Sequence, residues 1–345
     1  MKKRELVAFV WAVAAVIAIL PMAAGCGGGS SSISYDGSET ASAVAGTTAA
    51  EYLTNGYGVV DAASVLAATM AGPVSVVPGS LSADVLSART VTIIYTNTVV
   101  GNNDGFYEVD WLVNTLTGDF TGTISYEGYS SRPGESVTGT ADAEGTGFNR
   151  GDPPDEIALT FSSLDIVKWG AAWKSSGSME IKNYSAAQQG AAVPLVFLSD
   201  SQTIIESMLF KDPDGVTMKL ENAEIDVDFD NAFYRFTIEE YGLGSQGARL
   251  YHPDHGYLHI STLEPIPIDN ETGAPYPGWG VLQITDEAGA LAWLWLSTQG
   301  STLWEVWLDG GNYGLDYGTQ GGEPDDIRIT GGTFEDGVFS VMVPG

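Results

Sequence analysis

The sequence predicts a mainly β protein, built of antiparallel sheets of sandwich or meander type, with a small helical segment near the N-terminus. Three observations carry this reading. Past Pro73, runs of five to nine residues rich in Val, Ile, Thr, Tyr and Phe recur along the chain. Clusters of Gly, Asp, Asn and Pro separate them, as short antiparallel connections require. Helix-forming text, by contrast, is confined to Thr48–Met70.

The N-terminal residues come first. Lys2, Lys3 and Arg4 precede an apolar stretch from Leu6 to Leu20, followed by the small residues Ala23, Ala24 and Gly25 and then Cys26, the single cysteine. Basic, apolar and small-residue regions in that order make an export signal. The cysteine after small residues resembles the lipobox of bacterial lipoproteins. The resemblance implies that residues 1–25 are a signal peptide and that Cys26 is lipidated with diacylglyceryl and acyl (palmitate-type) chains. Gly27 after the cysteine, in place of Asp, resembles an outer-membrane address. Two other layouts fit the same residues: an uncleaved anchor, short of the roughly 20 apolar residues a span needs, and an ordinary signal peptide cut near Ala24. Residues 26–48, opening on Gly27, Gly28, Gly29, Ser30, Ser31 and Ser32, read as a flexible tether.

The helical segment spans 49–73. Asn55, Gly56, Tyr57 and Gly58 interrupt it, so the expectation is a broken helical hairpin with Asp61 as an N-cap. Strands are expected at Thr90–Thr96, Phe120–Tyr126, Glu156–Phe161, Ser178–Tyr184, Val216–Leu220, Glu224–Phe229, Phe233–Glu239 and Tyr257–Ser261. More follow at Gly280–Thr285, Ala290–Ser297, Thr302–Asp309, Asp326–Thr330 and Gly337–Val343. Asn103-Asp104-Gly105, Asp212-Pro213-Asp214-Gly215 and Asp336-Gly337 are turn signals. A weak internal echo sets Phe161–Tyr184 beside Leu220–Tyr241. It divides the β region into lobes 74–192 and 193–345, with one continuous β domain as the other arrangement.

Composition bounds the function. With Lys2, Lys3, Arg4 and Glu5 set aside, 11 basic residues face 43 acidic ones. Nonspecific binding to nucleic acid or anionic lipid is excluded as a role, because it needs Lys and Arg clusters. With no second cysteine the mature chain forms no internal disulfide, and its stability rests on the core.

All three histidines fall within eight residues: His252, His255 and His259, with Asp254 among them. Imidazoles and a carboxylate suit Zn, Cu or Ni. On a strand starting at Tyr257, however, His259 leaves the turn that carries the other two, so solvent-exposed turn histidines are the simpler reading. Asp226, Asp228 and Asp230 share one strand face at roughly 7 Å spacing. They read as a solvated face, or as a calcium site completed by Asp212 or Asp214; the EF-hand pattern is absent. Trp293 and Trp295 share a strand face, and Trp304 and Trp307 follow across a turn. Apolar residues on both faces point to a central core strand, Trp295 above all, with an aromatic platform for sugars as the other reading. Gly242–Gly247 matches a dinucleotide fingerprint but lacks the helix that must follow it, and Arg150-Gly151-Asp152 is a coincidence of three residues.

These features point to a lipid-anchored outer-membrane or cell-surface β protein with a structural or binding role and no catalysis. It resembles β-rich bacterial surface lipoproteins, a group that brings no activity with it. Its expected partners are the membrane, through the lipid, and a carbohydrate or protein. No cofactor is expected beyond calcium. The alternative is a secreted polysaccharide-acting enzyme or carbohydrate-binding module.

Overall fold

The computed structural model describes residues 33–71, 92–148, 154–184, 200–229, 233–241, 247–276, 279–296, 304–308, 327–335 and 338–342. Cys26, the signal segment, Arg150–Asp152, Asp230, residues 242–246 of the glycine motif and the seam between the expected lobes lie outside these residues. Residues 32–345 form one compact unit.

Among the described residues, one helix, α1 (Gly46–Ala71), precedes a seventeen-stranded sheet whose strand pairings are antiparallel. The first strands are β1 (Thr92–Val100), β2 (Asp104–Asn114), β3 (Phe120–Ser130), β4 (Glu135–Thr146), β5 (Glu156–Lys168), β6 (Ala171–Tyr184), β7 (Asp200–Lys211) and β8 (Thr217–Phe229). After them come β9 (Phe233–Glu240), β10 (Ala248–His252), β11 (Gly256–Glu264), β12 (Ile266–Asp269), β13 (Val281–Thr285), β14 (Leu291–Trp295), β15 (Trp304–Leu308), β16 (Ile327–Glu335) and β17 (Val338–Met342). The strands run as a meander from β1 to β8. There the sheet forks: one edge of β8 pairs first with β10, through Lys219–Glu221, and then with β9, through Ala223–Phe229. Asn222 stands at the fork with φ 52°, a left-handed conformation that Asn tolerates better than most residues. That residue joins the two segments the sequence separates, 216–220 and 224–229, into one strand.

The mainly β expectation holds, with three long strands unforeseen. In β4, Ala, Gly and acidic residues, which carry little β propensity, outnumber its Val and Thr. β2 did carry a signal, because exposed Glu108 and Asp110 alternate with buried Tyr107, Val109 and Trp111.

The helix explains the sheet's curvature. From Val59 to Met70 every residue of α1 is buried, as in a helix that lies inside a core. Tyr52, Leu53, Tyr57, Val60, Ala63, Leu66 and Ala67 are all fully buried. It packs against β5 to β8 and also against β13 to β16, so the sheet wraps around it. No helix among the described residues is long and apolar enough to cross a membrane.

Two sequence expectations about this helix are corrected. It is continuous, where a broken hairpin was expected at residues 55–58. Gly56 and Gly58 serve close packing: a Cβ on Gly56 would come 2.7 Å from Leu250 Cδ2, and one on Gly58 2.7 Å from the Trp173 ring. Asp61 is no N-cap; it sits inside the helix and is buried.

These glycines make a test. Ala gains about 1 kcal/mol of helix propensity over Gly, while overpacking costs about 1–3 kcal/mol. The Leu250 terminus can rotate aside, but the rigid Trp173 ring must move as a whole. Gly56→Ala should therefore leave the urea midpoint near wild type, and Gly58→Ala should lower it. Equal midpoints would remove packing as the reason for Gly58.

Residues 33–45 also depart from the tether reading. They lie along the β10–β11 hairpin: the Ser42 N–H donates to the Tyr257 carbonyl at 2.9 Å, and the Tyr257 N–H to the Thr40 carbonyl at 3.1 Å. Gly256 permits the contact, since a Cβ there would stand 2.1 Å from the Thr40 oxygen and its φ is +87°. The Tyr35 hydroxyl donates to the His252 carbonyl at 3.1 Å, fixing the strap to the end of β10.

Candidate functional site

Alternation along β10 turns Ala248, Leu250 and His252 inward, towards α1. His252 ends the strand, Pro253, Asp254 and His255 form the turn, and Gly256 begins β11 directly opposite His252. The helix supplies Glu51 from its second turn. His255 Nε2 lies 2.8 Å from Glu51 Oε2, and His252 Nε2 lies 3.6 Å from Glu51 Oε1. The two imidazoles stack, with centroids 4.7 Å apart and planes 20° from parallel. Tyr52, the next helix residue, packs on both rings, and its hydroxyl donates to the Gly256 carbonyl at 2.6 Å.

His252 is 2% exposed, and its Nε2 has no hydrogen-bond partner among the described residues. Its Nδ1 accepts the Asp254 N–H at 3.3 Å. Burial lowers the proton affinity of this ring, and the charges of Glu51 and Asp254 oppose that effect without overcoming it.

The structure therefore brings together His252 and His255 of the predicted set and adds Glu51, which no sequence spacing pointed to. His259 does not join them: it is buried on β11, and its Nδ1 meets the Gly247 carbonyl at 3.2 Å. Asp254 offers its charge to His252 and is not one of the clustered ligand groups. Solvent exposure is thus corrected for His252 and His259, which are buried, whereas His255 in the turn remains partly exposed.

The acidic strand is rearranged too. Asp226 gathers with Glu224 of its own strand and Glu239 of β9. Burial, then Glu224 and Glu239, push its pKa up to about 6. Asp228 instead pairs with Arg235 at 3.3 Å. Asp212 is occupied by its own turn, its Oδ1 accepting the Val216 N–H at 2.8 Å. Asp226 and Asp228 share the solvent-facing side of β8, opposite buried Ile225 and Val227, but take different partners on β9; Asp230 lies outside the described residues.

The tryptophans divide between two faces. Trp304 is fully buried in the core with Ala292, Leu294, Leu296 and Val306. Trp293, Trp295 and Trp307 lie on the other face, where Trp293 pairs across the strands with Gln283 and Trp307, and Trp295 with Glu305. Trp295 is half-buried, which corrects its expected place in the core. The inward positions of β14 belong to the smaller residues that α1 can approach.

A second cluster was missed entirely. Glu135 of β4 and Lys168 of β5 are direct cross-strand partners on the inward face, with Lys168 Nζ 2.6 Å from Glu135 Oε1. Lys168 also reaches Asp61 of α1 at 3.4 Å, and Arg132 holds Glu135 Oε2 at 3.1 Å. All four side chains are buried. Trp169 turns over this network in a left-handed conformation, φ 51°, with its ring against Gly134. A lone Asp inside an apolar helix was the available signal, since a buried carboxylate needs a cation.

No family model matches the chain, and neither a curated protein nor a solved structure matches it.

Proposed function

We propose that this chain is an exported, lipid-anchored β protein of the outer membrane or cell surface that binds or supports and does not catalyse. The observation that carries the non-catalytic part is α1. The space a ligand-carrying barrel would leave open is filled by the protein's own apolar helix, Tyr52 through Ala67. The buried charges beside it, Asp61, Arg132, Glu135 and Lys168, are taken up by one another. The anchoring part rests on the Lys2–Cys26 pattern. Multiple acyl chains hold a protein stably, whereas one chain is marginal.

A carbohydrate-binding reading is favoured by one feature, the half-buried Trp295 and Trp307 on the outer face of β14 and β15. Amphipathic rings in that position suit stacking on sugars.

Cys26→Ala tests the anchor. Wild type should take up labelled palmitate and fractionate with membranes, while Cys26→Ala should take up none and remain unprocessed or soluble. Wild-type protein that stays soluble and unlabelled would sink the lipoprotein reading.

A further inference from the structure

We infer that Glu51, His252 and His255 form a binding site for a divalent first-row transition ion, Zn2+ foremost. The inference supplies the binding role with a ligand, and it stands whether or not Cys26 is lipidated. The donor set is two imidazole nitrogens and one carboxylate, a combination that zinc accepts with a fourth position left to water. Calcium and magnesium, which prefer all-oxygen shells, are disfavoured by it.

The spacing fits. Zinc bonds of 2.0–2.2 Å in a tetrahedron hold neighbouring donor atoms about 3.3 Å apart. Here the carboxylate oxygens lie 2.8 and 3.6 Å from the two ring nitrogens, and the three ligand atoms all fall within 4.8 Å of one another. The independent pointer is His252 Nε2, buried, without a hydrogen-bond partner among the described residues and aimed into the cluster. A buried polar atom left in that condition is costly, and a metal ion would satisfy it.

Preorganisation supports the same conclusion. Each ligand is fixed by a separate device: Glu51 by α1, His252 by the end of β10, and His255 by the Pro253–His255 turn. Tyr52 packs against both rings. Coordination through His252 Nε2 places the ring proton on Nδ1. The contact from the Asp254 N–H, 3.3 Å and long for a hydrogen bond, is then given up.

The test uses the full chain in detergent, stripped with chelator and titrated with Zn2+ in millimolar calcium, which occupies the dispersed carboxylates. One Zn2+ per chain should bind, and Co2+ should give the visible bands of a four-coordinate nitrogen–oxygen site. His255→Ala and Glu51→Gln should each weaken Zn2+ at least tenfold and abolish the Co2+ bands. Both positions are partly exposed, so these variants should fold, as their unfolding midpoints will report. His259→Ala should bind as wild type. Zinc binding unchanged in His255→Ala and Glu51→Gln, or no binding above the calcium background in wild type, would overturn the site.

Discussion

Lys168→Met is expected to destabilise the protein by about 3–5 kcal/mol, the usual cost of removing one partner from a buried ion pair. Lys168 lies between two buried carboxylates, Glu135 at 2.6 Å and Asp61 at 3.4 Å. Without it Glu135 keeps Arg132, at 3.1 Å, while Asp61 loses the cation beside it. Asp61, inside the helix, must then be protonated or hydrated at the expense of packing. The double variant Lys168→Met with Asp61→Leu should recover most of the loss, because it leaves Glu135 and Arg132 as a balanced pair. Urea unfolding of the wild type, the two singles and the double makes the cycle. A loss below about 1 kcal/mol in Lys168→Met would equate the pair with an exposed one and refute its burial.

The same network sets an acid response, with the two carboxylates pulling in opposite directions. Burial alone would raise Glu135, but Lys168 and Arg132 outweigh it and hold the group below the ordinary carboxylate range. Its contribution is present above the unfolded value, about 4.3, and is lost as pH falls through the lowered folded one. Asp61 is raised, by burial first, because its single cation is farther away. Its contribution favours the fold at low pH and fades as pH rises through its folded value. Glu135 therefore accounts for acid lability, and Asp61→Asn should leave that lability in place.

Trp304→Ala is the second large effect, at about 3–5 kcal/mol, in the range for truncating a buried aromatic. The indole is fully buried on the inward face of β15, beside the side chains that α1 packs against. Trp295→Ala should cost about 1 kcal/mol or less, since that ring is half-buried on the opposite face. Guanidinium midpoints of the two variants test the assignment of faces. Equal losses would mean that the outer face is as closely packed as the core. Retention on an insoluble glycan that disappears in a stable Trp295→Ala protein would move carbohydrate binding to the first reading.

The class of fold was legible in the sequence because β propensity and turn chemistry are local. Val, Ile and Tyr at alternate positions, closed by Asp-Gly and Asn-Asp-Gly, specify a strand and its end without reference to the rest of the chain. An apolar helix is also visible in one dimension, yet its location is not. Gly56 and Gly58 look like breaks until Leu250, Ile260 and Trp173 arrive from strands nearly two hundred residues away or more than one hundred. Register decided the rest. Glu135 meets Lys168 only because β4 and β5 pair where they do, and Asp61 joins them only because the sheet closes around α1. Glu51 reaches His252 and His255 for the same reason, across 201 and 204 positions. A side chain's chemistry is carried by its own residue, whereas its partners are chosen by which faces the pleat turns inward, and that choice exists only once the sheet has folded.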